Sequence, residues 1–293
     1  MKHLFLQRPP ATGVNFRENS GAPGPGVLLV PLGGFALVAA AVLLALDPTA
    51  WSTRWHPATF AAVHLLALGV VSMVMVGSLF QVIPVLGGRA VARAQRVGAW
   101  VHACLTLGSA LIAAAFVRPD WGLWPPVLVL VGLGFAVFVV AAGAAVAGTK
   151  GAGDSIFVIR LAMLALCVTV AIGAYLAAAR VWPDAFPRGV WLTHVHLAWA
   201  LGGWVALLVM AVSFQILPMF QVAPAFHSRW ARGTAGAVLG ALVTMLLSQH
   251  PVAVTLAMTA LCSGLIAYAV HALSVIARRR RRRADALQVF WKT

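Results

Sequence analysis

Three histidines lie inside long apolar segments of the sequence. His64 lies about two helical turns into one segment, and His194 and His196 lie about one to two turns into another. Two imidazoles that face each other across a helical bundle are the usual axial ligands of an iron porphyrin. The pattern therefore indicates a haem held by His64 and one member of the second pair. The alternative is that each imidazole only hydrogen-bonds a neighbouring backbone or hydroxyl group.

The spacing of His194 and His196 separates their roles. Residues two apart on a regular helix point about 200° away from each other. These two side chains therefore cannot both bind one metal ion from a regular helix. They serve two sites on opposite faces, or one is a ligand and the other a structural partner.

Other basic and histidine side chains are secondary candidates. Arg54, Arg180 and Arg188 lie in segments expected at the same face of the membrane, where a guanidinium could pair with a haem propionate. Solvation of these loops explains the same residues equally well. His102 and His271 lie nearer the other face, where they form either a second site or buried hydrogen bonds.

None of the six acidic residues lies in the interior of an apolar segment. All of them lie in loops, tails or segment ends. This distribution argues against a proton pump based on carboxylates. It also excludes the paired carboxylates of a glycosidase and the glutamate of an HExxH zinc site. The sequence contains no GxSxG motif and no phosphate-binding glycine loop, and its three cysteines form no CxxC pattern.

The composition indicates that the segments carrying these residues lie in a membrane. Of the 293 residues, 62% are hydrophobic and 9% are charged, and the mean hydropathy is +0.94. Because a bilayer-spanning helix needs roughly 20 apolar residues, the sequence predicts an all-α polytopic membrane protein with eight spans. The predicted spans are 27–46, 58–86, 96–117, 122–147, 156–180, 190–219, 233–249 and 252–276.

Positive charge sets the predicted orientation. The formal net charge of +15 reflects 21 basic against 6 acidic residues, which in a membrane protein indicates topology and contact with anionic lipid rather than nucleic-acid binding. The loops richer in arginine belong to the side that carries both termini. We therefore expect a cytoplasmic tail at 1–26, a basic cytoplasmic tail at 278–293 and a bacterial-type inner-membrane location.

An internal repeat predicts two related halves. The segments at 64–86 and 196–220 both end in Phe-Gln, two aliphatic residues and proline. Each segment is the second span of a four-helix unit, so the chain divides into units at 27–147 and 148–277. Four spans are an even number, so the two units insert in the same direction as parallel repeats.

The segment THVHLAWALGGWVALLVMAVSFQILPMF at 193–220 resembles the histidine-bearing helix of subunit I in C-type haem–copper oxidases and nitric-oxide reductases. The segment HLLALGVVSMVMVGSLFQVIPVLGG at 64–88 resembles the matching helix of NnrS-type membrane proteins. The resemblance implies that His64 and His196 are the axial ligands of a low-spin haem b. By the same resemblance, His194 matches the ligand of an active-site haem.

The chain also departs from the large oxidases. Eight predicted spans make two four-helix arcs rather than three, and no adjacent histidine pair or HPEVY-like segment provides a recognisable copper site. We therefore expect a b-type cytochrome for electron transfer or for chemistry of nitric oxide or oxygen. The alternatives are a cofactor-free transporter, a membrane enzyme that modifies or assembles haem, and a structural subunit of a respiratory complex. A quinone or cytochrome redox partner and a homo-oligomer stay open.

Overall fold

The computed structural model describes residues 31–149, 153–187 and 189–279, and every regular element within these ranges is helical. We number the eight main helices α1 to α8 in chain order. Two short 3₁₀ turns, Pro48–Trp51 and Pro119–Trp121, lie between them. The helices are α1 Pro31–Leu46, α2 Pro57–Gly87, α3 Ala94–Val117, α4 Trp124–Ala147, α5 Asp154–Val181, α6 Val190–Gln221, α7 Ser228–Leu247 and α8 Pro251–Ala277.

Seven of the described helices, α2 to α8, are long and apolar enough to cross a membrane. Their bounds agree with the predicted spans within a few residues, because proline, glycine and charge clusters interrupt the apolar pattern where the helices end. Helix α1 has 16 described residues. Two statements stay predictions. One is the span at 27–46, and the other is the division into units at 27–147 and 148–277. The predicted tail at 1–26 and residues 280–293 of the basic tail lie outside the described residues.

Helices α2 and α6 share an unusual internal construction. Each contains an eight-residue π-helical segment, Leu65–Ser72 in α2 and Trp199–Ala206 in α6. Each π segment is followed by a 15-residue α segment with a proline at the same place, Pro84 or Pro218. Wide π turns rotate the residues on either side relative to each other. Side chains before and after the π segment therefore point in different relative directions from those in an uninterrupted α-helix.

Glycines in the π segments bring neighbouring helices into close contact. A Cβ atom at Gly69 would lie 2.5 Å from the Cβ of Ala36 in α1, and one at Gly203 would lie 2.8 Å from the Cβ of Ala165 in α5. Small residues allow this approach, and close packing drives helix association where lipid surrounds the protein. The π segment of α2 is therefore seated on α1, and that of α6 on α5.

The ends of α2 and α6 share a left-handed backbone conformation but differ in the residue that adopts it. Both helices end in a left-handed residue, Gly88 with φ of 65° after α2 and Val222 with φ of 49° after α6. In each case the N–H of this residue donates to the proline carbonyl one turn earlier. Glycine adopts this conformation freely, whereas a β-branched residue is strained there.

We predict that Val222→Gly raises the free energy of unfolding by about 0.5–1 kcal/mol, because relief of left-handed strain outweighs the added freedom of the unfolded chain. The reciprocal variant Gly88→Val should lower it by about 1–2 kcal/mol. Thermal or denaturant unfolding of both variants in detergent measures these shifts. A loss of stability in Val222→Gly would show that the valine side chain contributes packing that exceeds its strain.

Candidate functional site

His64 is held by a carbonyl of its own helix. It lies at the last α-helical position of α2 before the π segment, and its Nδ1 is 2.8 Å from the carbonyl oxygen of Phe60. A carbonyl oxygen only accepts hydrogen bonds, so Nδ1 must carry the proton and donate it. In the neutral ring, this leaves a lone pair on Nε2, which is the atom that binds a metal ion.

His196 reaches the same state through a neighbouring helix. Its Nδ1 lies 3.1 Å from the carbonyl oxygen of Thr169 in α5, to which it donates. One turn further along α5, a Cβ at Gly173 would lie only 2.9 Å from Cε1 of the imidazole. Glycine at this position therefore makes room for the ring. As at His64, the lone pair belongs to Nε2.

The two imidazoles lie in different helices. His64 is within range of an electrostatic interaction with His196. We call the end of the bundle that carries them the histidine end. Both rings are partly buried, and each is oriented by one hydrogen bond to a backbone carbonyl. A metal-binding histidine is usually oriented in this way by its second nitrogen.

His194 has different surroundings. Its ring meets the indole of Trp55 edge-on, with centroids 5.7 Å apart. Trp55 lies in the loop before α2, and the guanidinium of Arg54 lies 5.0 Å from its ring centroid. His194 therefore contacts this loop, whereas His196 contacts α5. Arg54 lies at the histidine end as a loop residue beside Trp55, and Arg188 lies outside the described residues.

An aromatic cluster that the sequence analysis did not identify covers His64. The Phe116 ring lies 5.2 Å from the His64 ring and stacks on Phe60 at 5.2 Å. Trp124 meets Phe116 edge-on at 4.9 Å. The guanidinium of Arg180 lies 5.5 Å from both the Phe116 and the Trp124 rings, so a positive charge from α5 is held at the histidine end. The concentration of aromatic residues at the ends of α3 and α4 is the only sequence signal for this cluster.

The loop between α1 and α2 also forms a small polar group. The Asp47 carboxylate accepts hydrogen bonds from the backbone and hydroxyl of Thr49, and it lies 3.6 Å from His56. The Thr49 hydroxyl holds the pKa of the Asp47 carboxyl below its ordinary value. His56 caps α2, because its Nδ1 accepts from the N–H of Ala58. These side chains order the chain just before Trp55.

The other intramembrane histidines lie apart from this pair. His271 in α8 stacks on Trp230 of α7, with centroids 4.0 Å apart. His102 in α3 has a buried Nδ1 with no hydrogen-bond partner among the described residues.

In the part of the chain that the structure describes, no three or more His, Cys, Asp or Glu side chains are arranged to hold a metal ion. Comparison of the chain with protein-family models, with curated proteins and with solved structures finds no match.

We predict that Gly173→Ala lowers the free energy of unfolding by about 1–3 kcal/mol, because the added methyl group collides with the His196 ring and forces it out of position. Gly236→Ala in α7 is a matched control, since a Cβ there meets nothing within 4 Å. The control should be neutral or stabilising by up to about 1 kcal/mol. Equal unfolding free energies for the two variants would contradict the close contact between Gly173 and His196.

Proposed function

We propose that this protein is a membrane b-type cytochrome in which His64 and His196 bind the iron of one haem between α2 and α6. One observation carries the proposal. Both imidazoles donate from Nδ1 to a backbone carbonyl and keep the Nε2 lone pair, and the two rings lie within electrostatic range of each other. Two oriented neutral imidazoles are one of the ligand sets that hold a six-coordinate haem.

Several groups at the histidine end would serve a bound haem. His64 and His196 would hold the iron, and Gly173 provides space for the His196 ring. Arg54 and Arg180 supply positive charge for the propionates. The aromatic side chains Phe116 and Trp124 exclude water from the His64 side. When bound, the haem supplies one-electron redox chemistry.

Two histidine ligands would favour electron transfer over substrate chemistry, because they would leave the iron no position for a substrate. Binding of nitric oxide or oxygen would need His64 or His196 to be displaced. The resemblance of α2 to the NnrS-type proteins favours this second activity, and carbon monoxide tests it because it binds only reduced haem with an open or labile position.

We also propose that the eight helices are eight spans in two parallel four-helix units, with both termini on the cytoplasmic side of an inner membrane. The matching π segments, prolines and left-handed ends of α2 and α6 support a repeated unit. The arginines after these two helices support the orientation, because both groups lie at the end opposite the histidines. These arginines are Arg89, Arg93 and Arg96 after α2, and Arg229 and Arg232 after α6.

The test is the spectrum of the purified protein after expression with ample haem. We expect a Soret band, a b-type pyridine haemochrome and sharp reduced-minus-oxidised α and β bands. His64→Ala and His196→Ala should each abolish or shift these bands, because either change removes an axial ligand. His227→Ala is the control, since His227 is an exposed residue before α7.

The outcomes separate the proposed function from its rivals. A folded wild-type protein without a Soret band would contradict the cytochrome and leave the cofactor-free alternatives, a transporter or a structural subunit. A spectrum unchanged in both His64→Ala and His196→Ala would contradict the ligand assignment. A shift of the reduced wild-type spectrum with carbon monoxide would support the gas-binding activity, and no shift would support electron transfer alone.

A further inference from the structure

Arg160 is a charged residue inside an otherwise apolar helix. It lies six residues after the first residue of α5, about 9 Å along the helix axis. No other charged side chain occurs between Asp154 and Arg180, and α5 is long and apolar enough to cross a membrane. An ionisable residue within such a helix is costly, so it is usually held by a specific partner and marks a functional site.

The Arg160 guanidinium lies against the end of the neighbouring helix α4. Its Nη2 donates to the carbonyl oxygen of Val146 at 3.1 Å and to the hydroxyl oxygen of Thr149 at 3.2 Å. The Thr149 hydroxyl in turn donates to the same Val146 carbonyl. Both acceptors are neutral, and the C-terminal dipole of α4 contributes only about half a negative charge. These contacts hold the guanidinium in place without neutralising it.

A second guanidinium lies at the same helix end. Arg89, in the loop after α2, donates from Nη1 to the carbonyl oxygen of Gly148 at 3.1 Å. A Cβ at Gly148 would collide with the Arg89 guanidinium, so glycine allows this close approach. Two arginines from different parts of the chain therefore contact one helix end. We call Arg89, Arg160 and residues 146–149 the arginine cluster.

The described part of the chain supplies no carboxylate to balance these two charges. Neither arginine takes part in its ion pairs. Asp154 is the acidic residue nearest to Arg160 in the sequence, but its carboxylate accepts from Arg232 and Ser228, each at 2.7 Å. A guanidinium has five N–H donors, and the described residues engage one nitrogen of each. Both arginines are exposed, so donors remain available to an anionic ligand.

The position of the arginine cluster indicates where this anion comes from. Guanidinium groups bind phosphate oxygens through paired N–H donors. Arg160 begins an exposed stripe along α5 whose next members are apolar and follow at intervals of three or four residues. These members are Leu164, Cys167 and Ala171. An acyl chain can lie along this stripe while its phosphate meets Arg160, whereas a free inorganic anion would make no use of the apolar surface.

We propose that the arginine cluster binds the phosphate group of an anionic phospholipid, with Arg89 and Arg160 as the two phosphate-binding side chains. Anionic lipid is favoured over zwitterionic lipid, because two positive charges at the edge of an apolar region need a partner with net negative charge. A phosphate that meets both guanidinium groups would tie the loop after α2 to α5. The cluster lies at the end of the bundle opposite the histidine end, and it does not depend on haem.

The experiment uses the full chain, stripped of lipid in a neutral detergent, and native mass spectrometry with dioleoyl phosphatidylglycerol as the probe. Dioleoyl phosphatidylcholine is the comparison lipid, since it has the same acyl chains and a phosphate but no net charge. We expect phosphatidylglycerol to bind more tightly. Arg160→Gln and Arg89→Gln should each weaken its binding about fivefold to tenfold, because each variant removes one positive charge from the phosphate.

Arg229→Gln is the matched control, because it removes the same charge from an exposed residue at the same end of the bundle but outside the arginine cluster. It should leave the affinity for phosphatidylglycerol unchanged. Arg89→Gln keeps the test valid if Arg160→Gln does not fold, since Arg89 lies in an exposed loop. Inorganic phosphate should displace no more lipid than chloride does at the same ionic strength.

Four results would overturn the proposal. Equal affinity for the two lipids would show that net charge is not recognised, and unchanged binding in a folded cluster variant would show that its arginine is not a ligand. An equal loss in Arg229→Gln would indicate attraction to the overall charge of the protein, and displacement by inorganic phosphate would indicate a site for a free anion. Lipid binding by a protein without haem would contradict the proposed cytochrome and leave the lipid site standing.

Discussion

Hydrocarbon offers no hydrogen-bond partner, so each polar side chain within the membrane must be satisfied by the protein itself. At the histidine end, two backbone carbonyls meet this requirement, those of Phe60 and Thr169. Each hydrogen bond fixes the position of the proton on one imidazole and limits rotation of the ring. The result is a pair of neutral, oriented Nε2 lone pairs in a region where a charged group would be costly.

One face of α5 makes this arrangement possible. Ala165, Thr169 and Gly173 follow one another at intervals of four residues, so they form a single stripe on the helix. Ala165 receives Gly203 of the π segment, Thr169 offers its carbonyl to His196, and Gly173 leaves room for the ring. A larger side chain at either small position would separate α5 from α6. The hydrogen bond at His196 therefore depends on helix packing two turns away.

Hydropathy predicts the helices well, because spans of this length have few alternatives in a bilayer. It also predicts that His64 and His196 lie at similar depth, since both follow the start of a span by a few residues. Their hydrogen-bond partners could not be predicted in the same way. Thr169 lies 27 residues before His196, and only the packing of α5 against α6 brings them together.

The π segments were also beyond the sequence analysis, because no proline or glycine pair marks where Leu65–Ser72 or Trp199–Ala206 begins. The repeat of Phe-Gln and proline shows that the helices correspond, and the structure adds that their π segments occupy matching positions. The two histidines are offset by two residues relative to this frame. Their hydrogen-bond partners also differ, since His64 bonds to its own helix and His196 to α5.

The state of the two imidazoles bears on the choice between a transporter and a cytochrome. A proton relay requires side chains that gain and lose charge, and a charge at this depth needs a counter-ion. All six carboxylates of the chain lie outside the interior of the apolar segments, and each Nδ1 proton is committed to a carbonyl. Protonation of Nε2 would therefore create a poorly compensated cation. Coordination of a metal uses the same lone pair without placing a proton there. An apolar site without counter-ions therefore disfavours a proton relay, whereas it keeps both imidazoles neutral, as metal ligands must be.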